Sequence, residues 1–247
     1  MTSPTTYTGP DGTGLIENLT GAALIGLCLI GRPFLKGWMA RWGATADEVQ
    51  RSLPGDERVP NPLLESTRVV TVRAPAAAVW PWVAQIGQER GGLYSYEKLE
   101  NLARCQIRNA DRIVPEWELQ VGDRVRLGPP GYPVNGVVQI ERGSALVMAG
   151  ADIQTAAVTD IPNPPPDTYV NYVWTIALAP VDAHSCRLIF RSRLDYRPRS
   201  FGAWLIWEAL TEPIGFVMMR KMLLGIKARA EALPGGNPAV EPQFQQI

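Results

Sequence analysis

Residues 169–196 constrain the fold most. Along 169–179, Val170, Tyr172, Trp174, Ile176 and Leu178 recur every second position and share one face of a strand. Along 186–196, Leu188, Phe190, Ser192 and Leu194 share one face, and Arg187, Ile189, Arg191 and Arg193 share the other. Pro180–Ser185 has turn composition. Two alternating strands joined by a turn form an antiparallel hairpin. Its bulky face must be buried against another element, and its arginine face reads as solvated outer sheet.

Further strands are expected at 67–73, 123–127, 133–140 and 144–149. After the first, Ala74-Pro75 leads into a helix over about 76–86, which Pro81 should tighten. Gly87 and Gly91-Gly92 end it. Ser95 can cap a second helix over 96–104. Ile161–Asp167, with four prolines in seven residues, is an extended loop. Residues 201–211 and 213–232 read as helix broken near Pro213, with Ile214, Met218, Met222 and Ile226 in one apolar stripe.

Composition narrows the function classes. The 247 residues are 46% hydrophobic with 24 basic and 24 acidic side chains, so the chain is globular and no nucleic-acid partner is expected. His184 is the single histidine, which excludes a histidine-rich metal site and leaves a His-dependent catalytic pair only that residue. Cys28, Cys105 and Cys186 are few, odd in number and far apart, which favours free thiols and a cytoplasmic location. No phosphate-binding, dinucleotide or metal motif is present, so neither a cofactor nor a metal is implied.

The N-terminal part is separate in character. Residues 1–14 are polar and Gly/Pro-rich, read as disordered, and lack the basic residues of a signal peptide. An uncharged stretch from Asn18 to Gly31 follows, its centre apolar on every side, and Arg32-Pro33 should end it. A helix of that length spans roughly 21 Å, short of a bilayer core of about 30 Å. Packing on the domain or a partner, a membrane-surface anchor and a true span all stay open. Trp38, Trp42, Trp204 and Trp207 fit either a membrane-surface belt or internal packing. Thr45–Glu48 is a capping box. Residues 54–66 read as a linker wrapping the main domain. The expected division is a helical extension and linker at 15–66, a ligand-binding domain at 67–233 and a disordered tail at 234–247.

This order resembles the START-like, helix-grip superfamily (SRPBCC), which includes polyketide cyclases/dehydrases and lipid-transfer domains. The resemblance rests on Val72–Pro75, Val79–Trp82, Gly92–Glu97, Leu99–Asn101, Asn109–Trp117 and Phe216–Met222, and it points to a bacterial branch without a settled function. It implies an α+β fold: a curved antiparallel sheet wrapped around a long C-terminal helix, here with an N-terminal helical extension. It also implies a cavity between sheet and last helix.

Trp82, Tyr94, Tyr96, Asn101, Tyr172, Trp174, Phe190, Met218 and Met222 are the candidates for contacting a small hydrophobic or amphipathic ligand such as a lipid, polyketide or aromatic metabolite. Each could equally fill a solid core. Glu97 or Glu100 with Tyr96 could serve a cofactor-independent cyclase/dehydratase as an acid–base pair. A third reading is a membrane-tethered accessory protein using residues 15–42. Asn109, Asp111 and Arg112 read as loop-holding groups. The residues carry no signal for an oligomeric state.

Overall fold

In the computed structural model of the chain, the described residues are 11–129, 131–151 and 167–232. The expected proline-rich loop at 161–167 falls almost wholly outside them, as do most of the N-terminal stretch and the tail at 234–247. The elements are α1 (Asp11–Ala40), α2 (Ala46–Gln50), β1 (Leu64–Val72), α3 (Ala76–Ala84), α4 (Glu97–Leu102), β2 (Arg124–Arg126), β3 (Val134–Glu141), β4 (Ala145–Ala151), β5 (Tyr169–Asp182), β6 (Ser185–Arg197), α5 (Phe201–Trp204) and α6 (Glu212–Glu231). A π-helical run, Leu205–Thr211, joins α5 to α6 where the sequence pattern breaks.

The six strands form one antiparallel sheet in the order β1-β6-β5-β4-β3-β2. The expected hairpin is β5–β6, in register from Tyr169↔Arg197 to Asp182↔Ser185. Its bulky face and the matching faces of β1, β3 and β4 pack against α3 and α6, burying Val70, Leu146, Met148, Ile176, Leu188, Phe190, Met222, Leu223 and Ile226 in one core. The result is the α+β helix-grip arrangement, a sheet holding a long C-terminal helix.

The other face of the sheet differs from its expected state. Residues 41–63 lie across it instead of solvent. Leu53 packs with Val69, Ala145, Ala177 and Ile189, and Val59 with Val147 and Val173. The Thr175 hydroxyl donates to the Pro54 carbonyl at 2.8 Å. Gly55 sits in the left-handed region, where a Cβ would press on Val147 and Val173. Arg191 is therefore buried, at 2% exposure, and not solvated. Its guanidinium donates to the carbonyls of Glu48, Val49 and Arg51 at the end of α2 and to the carboxylate of Asp56. Alternation assigned the face correctly, but a period of two says nothing about what covers that face.

The capping box forms, with Thr45 accepting from the Glu48 amide and Glu48 from the Thr45 amide. Glu48 also holds Arg187 through two parallel bonds of 2.7 and 2.8 Å.

α1 also departs from expectation. It is a 30-residue helix that begins at Asp11 and runs through Arg32 and Pro33. Pro33 lies on the exposed side of the helix. α1 runs antiparallel to α6 and its π-helical lead: Glu17 pairs with Lys221, and Arg32 and Lys36 pair with Glu208. Its inward face places Gly21 against the Tyr96 ring and Cys28 and Met39 among Phe216 and Val217. Its outward face is apolar too. Of seventeen exposed large hydrophobic side chains among the described residues, twelve lie between Leu15 and Trp38 or between Phe201 and Ile214. By length and composition the helix could cross a membrane, and only a small share of it is buried.

Candidate functional site

The interior of the grip is graded. At one end Ile176, Leu178, Leu188, Phe190, Met222 and Ile226 are fully buried. At the other, on the same face, Tyr172, Trp174, Ser192, Leu194 and Met219 are only half-buried. Pairing puts these residues in adjacent rows, Met148–Trp174–Ser192–Ser66 and Tyr172–Leu194–Leu64. Trp174 stands between Tyr172 and Phe190, with ring centroids at 6.1 and 5.6 Å.

One buried donor here lacks a partner among the described residues. The Tyr172 hydroxyl donates to Asn135 Oδ1 at 2.7 Å. Asn135 itself is 0% exposed and its Nδ2 has no hydrogen-bond partner. Burial holds the Tyr172 phenol protonated, its pKa pushed up to about 12. Gly150 makes room for this ring, since a Cβ there would lie 2.6 Å from it. The indole N–H of Trp82 also lacks a partner among the described residues, but it lies in the sealed core, its ring packed edge-on to Tyr94 at 6.0 Å. Unsatisfied buried donors cost on the order of 1–3 kcal/mol each and so call for an explanation.

The remaining sequence candidates separate into distinct places. Phe190 and Met222 belong to the sealed core. Tyr94 is also buried there. Its hydroxyl accepts from Gln85 at 2.9 Å, and Arg229 covers its ring at 4.9 Å. Tyr96 and Met218 are not beneath the sheet; both pack in the contact between α1 and α6. One apolar stripe on α6 serves two neighbours, and its edge residues fall to α1. Asn101 clasps the backbone of Ile107 through both its side-chain atoms, at 2.7 and 2.9 Å. Asn109 accepts from the Tyr94 amide and donates to the Ser95 carbonyl, in keeping with its expected loop-holding part. Glu97 accepts from the Asn109 amide at 2.9 Å.

Glu100 is different. It is buried on α4, and its Oε2 has no hydrogen-bond partner among the described residues. Burial first, and the nearby Glu97 charge second, push its pKa up to about 7, opposed in part by Ser95. A carboxyl with that value holds and releases protons near neutrality. Tyr96, its proposed partner, faces α1 rather than the grip.

Sequence reasoning missed Asn135 and the buried pair Arg68–Glu212, 2.9 Å apart. Arg68 also donates to the Met39 carbonyl at 3.0 Å. Burial lowers the Arg68 pKa to about 10 and raises that of Glu212. Asn135 and Arg68 are polar residues on strands that also carry buried valines, a signal the sequence offers, whereas Glu212 stands at the start of α6 and carries no such mark. Among the described residues no three His, Cys, Asp or Glu side chains converge as a metal site would need.

No family model matches the chain, and no curated protein matches it. Similar solved structures exist. Norcoclaurine synthase from Thalictrum flavum is 15% identical over 72% of this chain and 92% of its own, with a TM-score of 0.38. A protein from Arthrobacter aurescens is 16% identical over 79% and 98%, with a TM-score of 0.39. The di-domain ARO/CYC BexL from the BE-7585A biosynthetic pathway is 14% identical over 68% of this chain and 47% of its own, with a TM-score of 0.33. Likeness at this level concerns the course of the chain and transfers no residue role. The helix-grip architecture is defined by the strand order and by α6 itself.

Proposed function

We propose that the protein is a binding module of the START-like superfamily that holds a small apolar or amphipathic molecule between the sheet and α6, at the Tyr172–Trp174 end. The observation that carries this is the grading of the inner face, with a sealed core at one end and half-buried aromatic and polar groups at the other. The Asn135 amide, bonded through its oxygen to Tyr172, is the donor that would orient a guest oxygen. Native mass spectrometry of the gently purified full chain tests this. A retained hydrophobic guest is expected, lost in Ser192→Trp, which fills that end while the far-UV spectrum stays intact. Wild-type protein that is empty from every expression host overturns the reading.

Glu100 favours a second reading, a cofactor-independent cyclase/dehydratase-like enzyme, because its carboxyl titrates near neutrality and has a free oxygen. Here Glu100→Gln abolishes turnover of a polyketide-type substrate while the fold persists; full activity in that variant removes Glu100 from the chemistry. The exposed apolar face of α1 supports a membrane-surface contact through residues 15–42, which is compatible with either reading.

A further inference from the structure

α6 has a second apolar side, and a hollow lies against it. Between α1 and α6 is a groove of about 420 Å³, within the range of small-molecule sites. Leu24, Cys28 and Leu35 of α1 form one wall, and Phe216 and Val217 of α6 form the other. Trp42 and Arg220 lie at its margin, with the guanidinium 5.0 Å from the indole centroid.

Three observations define what fits. The lining is apolar apart from Arg220 and the Cys28 thiol, so the occupant has a hydrocarbon body. Arg220 pairs with no carboxylate among the described residues, whereas its neighbours are matched: Lys221 with Glu17, and Glu212 with Arg68. One cation is thus left for an anionic head. Finally, Leu27 and Trp38 both line the groove and belong to the exposed apolar face of α1, so an alkyl chain has an apolar way in.

We infer that the groove between α1 and α6 is a binding site for one acyl chain bearing an anionic head, the chain along Leu24, Cys28 and Phe216 and the head on Arg220. This site is separate from the interior of the grip and does not depend on a guest there.

Calorimetric titration of the full chain with dodecanoate, and with dodecanol as the uncharged counterpart, tests the assignment. One dodecanoate per chain is expected. Arg220→Gln weakens it at least tenfold and leaves dodecanol unchanged. Leu27→Glu, an exposed change at the mouth that spares the core, weakens both. Co-sedimentation with phosphatidylglycerol vesicles separates the sources. Binding lost in both variants assigns a bilayer lipid, and uptake of free dodecanoate without vesicle binding assigns a soluble amphiphile. The proposal is overturned if neither dodecanoate nor vesicles bind. It is overturned equally if binding survives Arg220→Gln and Leu27→Glu but is lost in Ser192→Trp, which would place the guest in the grip.

Discussion

Asp56 takes the guanidinium of Arg191 at 2.6 Å beneath the segment that covers the sheet. The same guanidinium satisfies three backbone carbonyls at the end of α2, so one side chain on β6 pins a segment some 135 residues away. Replacing it with methionine takes the side-chain donor from those three carbonyls and leaves Asp56 only the Leu53 amide and the more distant Arg193, at 3.4 Å. Breaking a buried pair in this way costs about 3–5 kcal/mol. Urea unfolding of Arg191→Met should show that loss, and a change below 1 kcal/mol would mean that residues 41–63 add little to stability.

Glu100 makes stability depend on pH in a defined sense. Its folded pKa, near 7, is above that of an unfolded carboxyl, so the native state binds the extra proton between about pH 4.5 and 7. Stability from this group is therefore highest below that window and falls as pH rises through it. Glu100→Gln should raise the melting temperature at pH 8, by at most about 3 kcal/mol in free energy, and change it little at pH 4.5. Glu48 acts in the opposite direction. Its pKa is held down chiefly by Arg187, so its contribution is present above the ordinary carboxylate range and is lost on acidification.

Gly225 marks the closest approach of α6 to the loop before α4. A methyl group there would overlap the Tyr94 carbonyl oxygen and sit 3.0 Å from its Cβ. Tyr94 is itself in the left-handed region, with φ of 53°, and cannot easily yield. Gly225→Ala should cost about 1–3 kcal/mol despite the helix propensity of alanine, as thermal unfolding will show.

The exposed apolar side chains of α1 and α5 should matter for location and little for folding. Phe34 is 90% exposed and Phe201 76%. The double variant Phe34→Glu/Phe201→Glu should unfold within about 0.5 kcal/mol of wild type. In cell fractionation it should move from the membrane pellet to the soluble fraction; identical fractionation of the two proteins removes the membrane contact. Point changes suit this test better than a chain starting near residue 45, which would also strip Met39 from Arg68 and uncover Phe216.

Much of the fold was legible because its signals are local. Alternation placed β5 and β6 within a few residues, Pro75 and Pro213 marked helix starts, and Thr45 with Glu48 gave the cap. What escaped depends on contacts distant in sequence. Nothing local to Arg191 says that the end of α2 will rest on it, and nothing local to Tyr96 says that Gly21 will cover its ring. Pro33 signals a stop in an isolated helix, which loses a backbone bond there, whereas α1 is held on both sides of that proline by Arg32–Glu208 before it and Lys36–Glu208 after it. The candidate site was legible in part. Tyr172 and Trp174 lie at the half-buried end of the grip, but their polar neighbour Asn135 comes from a strand whose pairing the sequence did not specify.

The placement of α1 sets an order of assembly during synthesis. α1 leaves the ribosome well before α6, the surface that receives it. While the residues between them are being made, this greasy helix must wait without its seat, exposed to chaperones or to a nearby bilayer. Whatever captures it in that interval competes directly with the docking that completes the molecule.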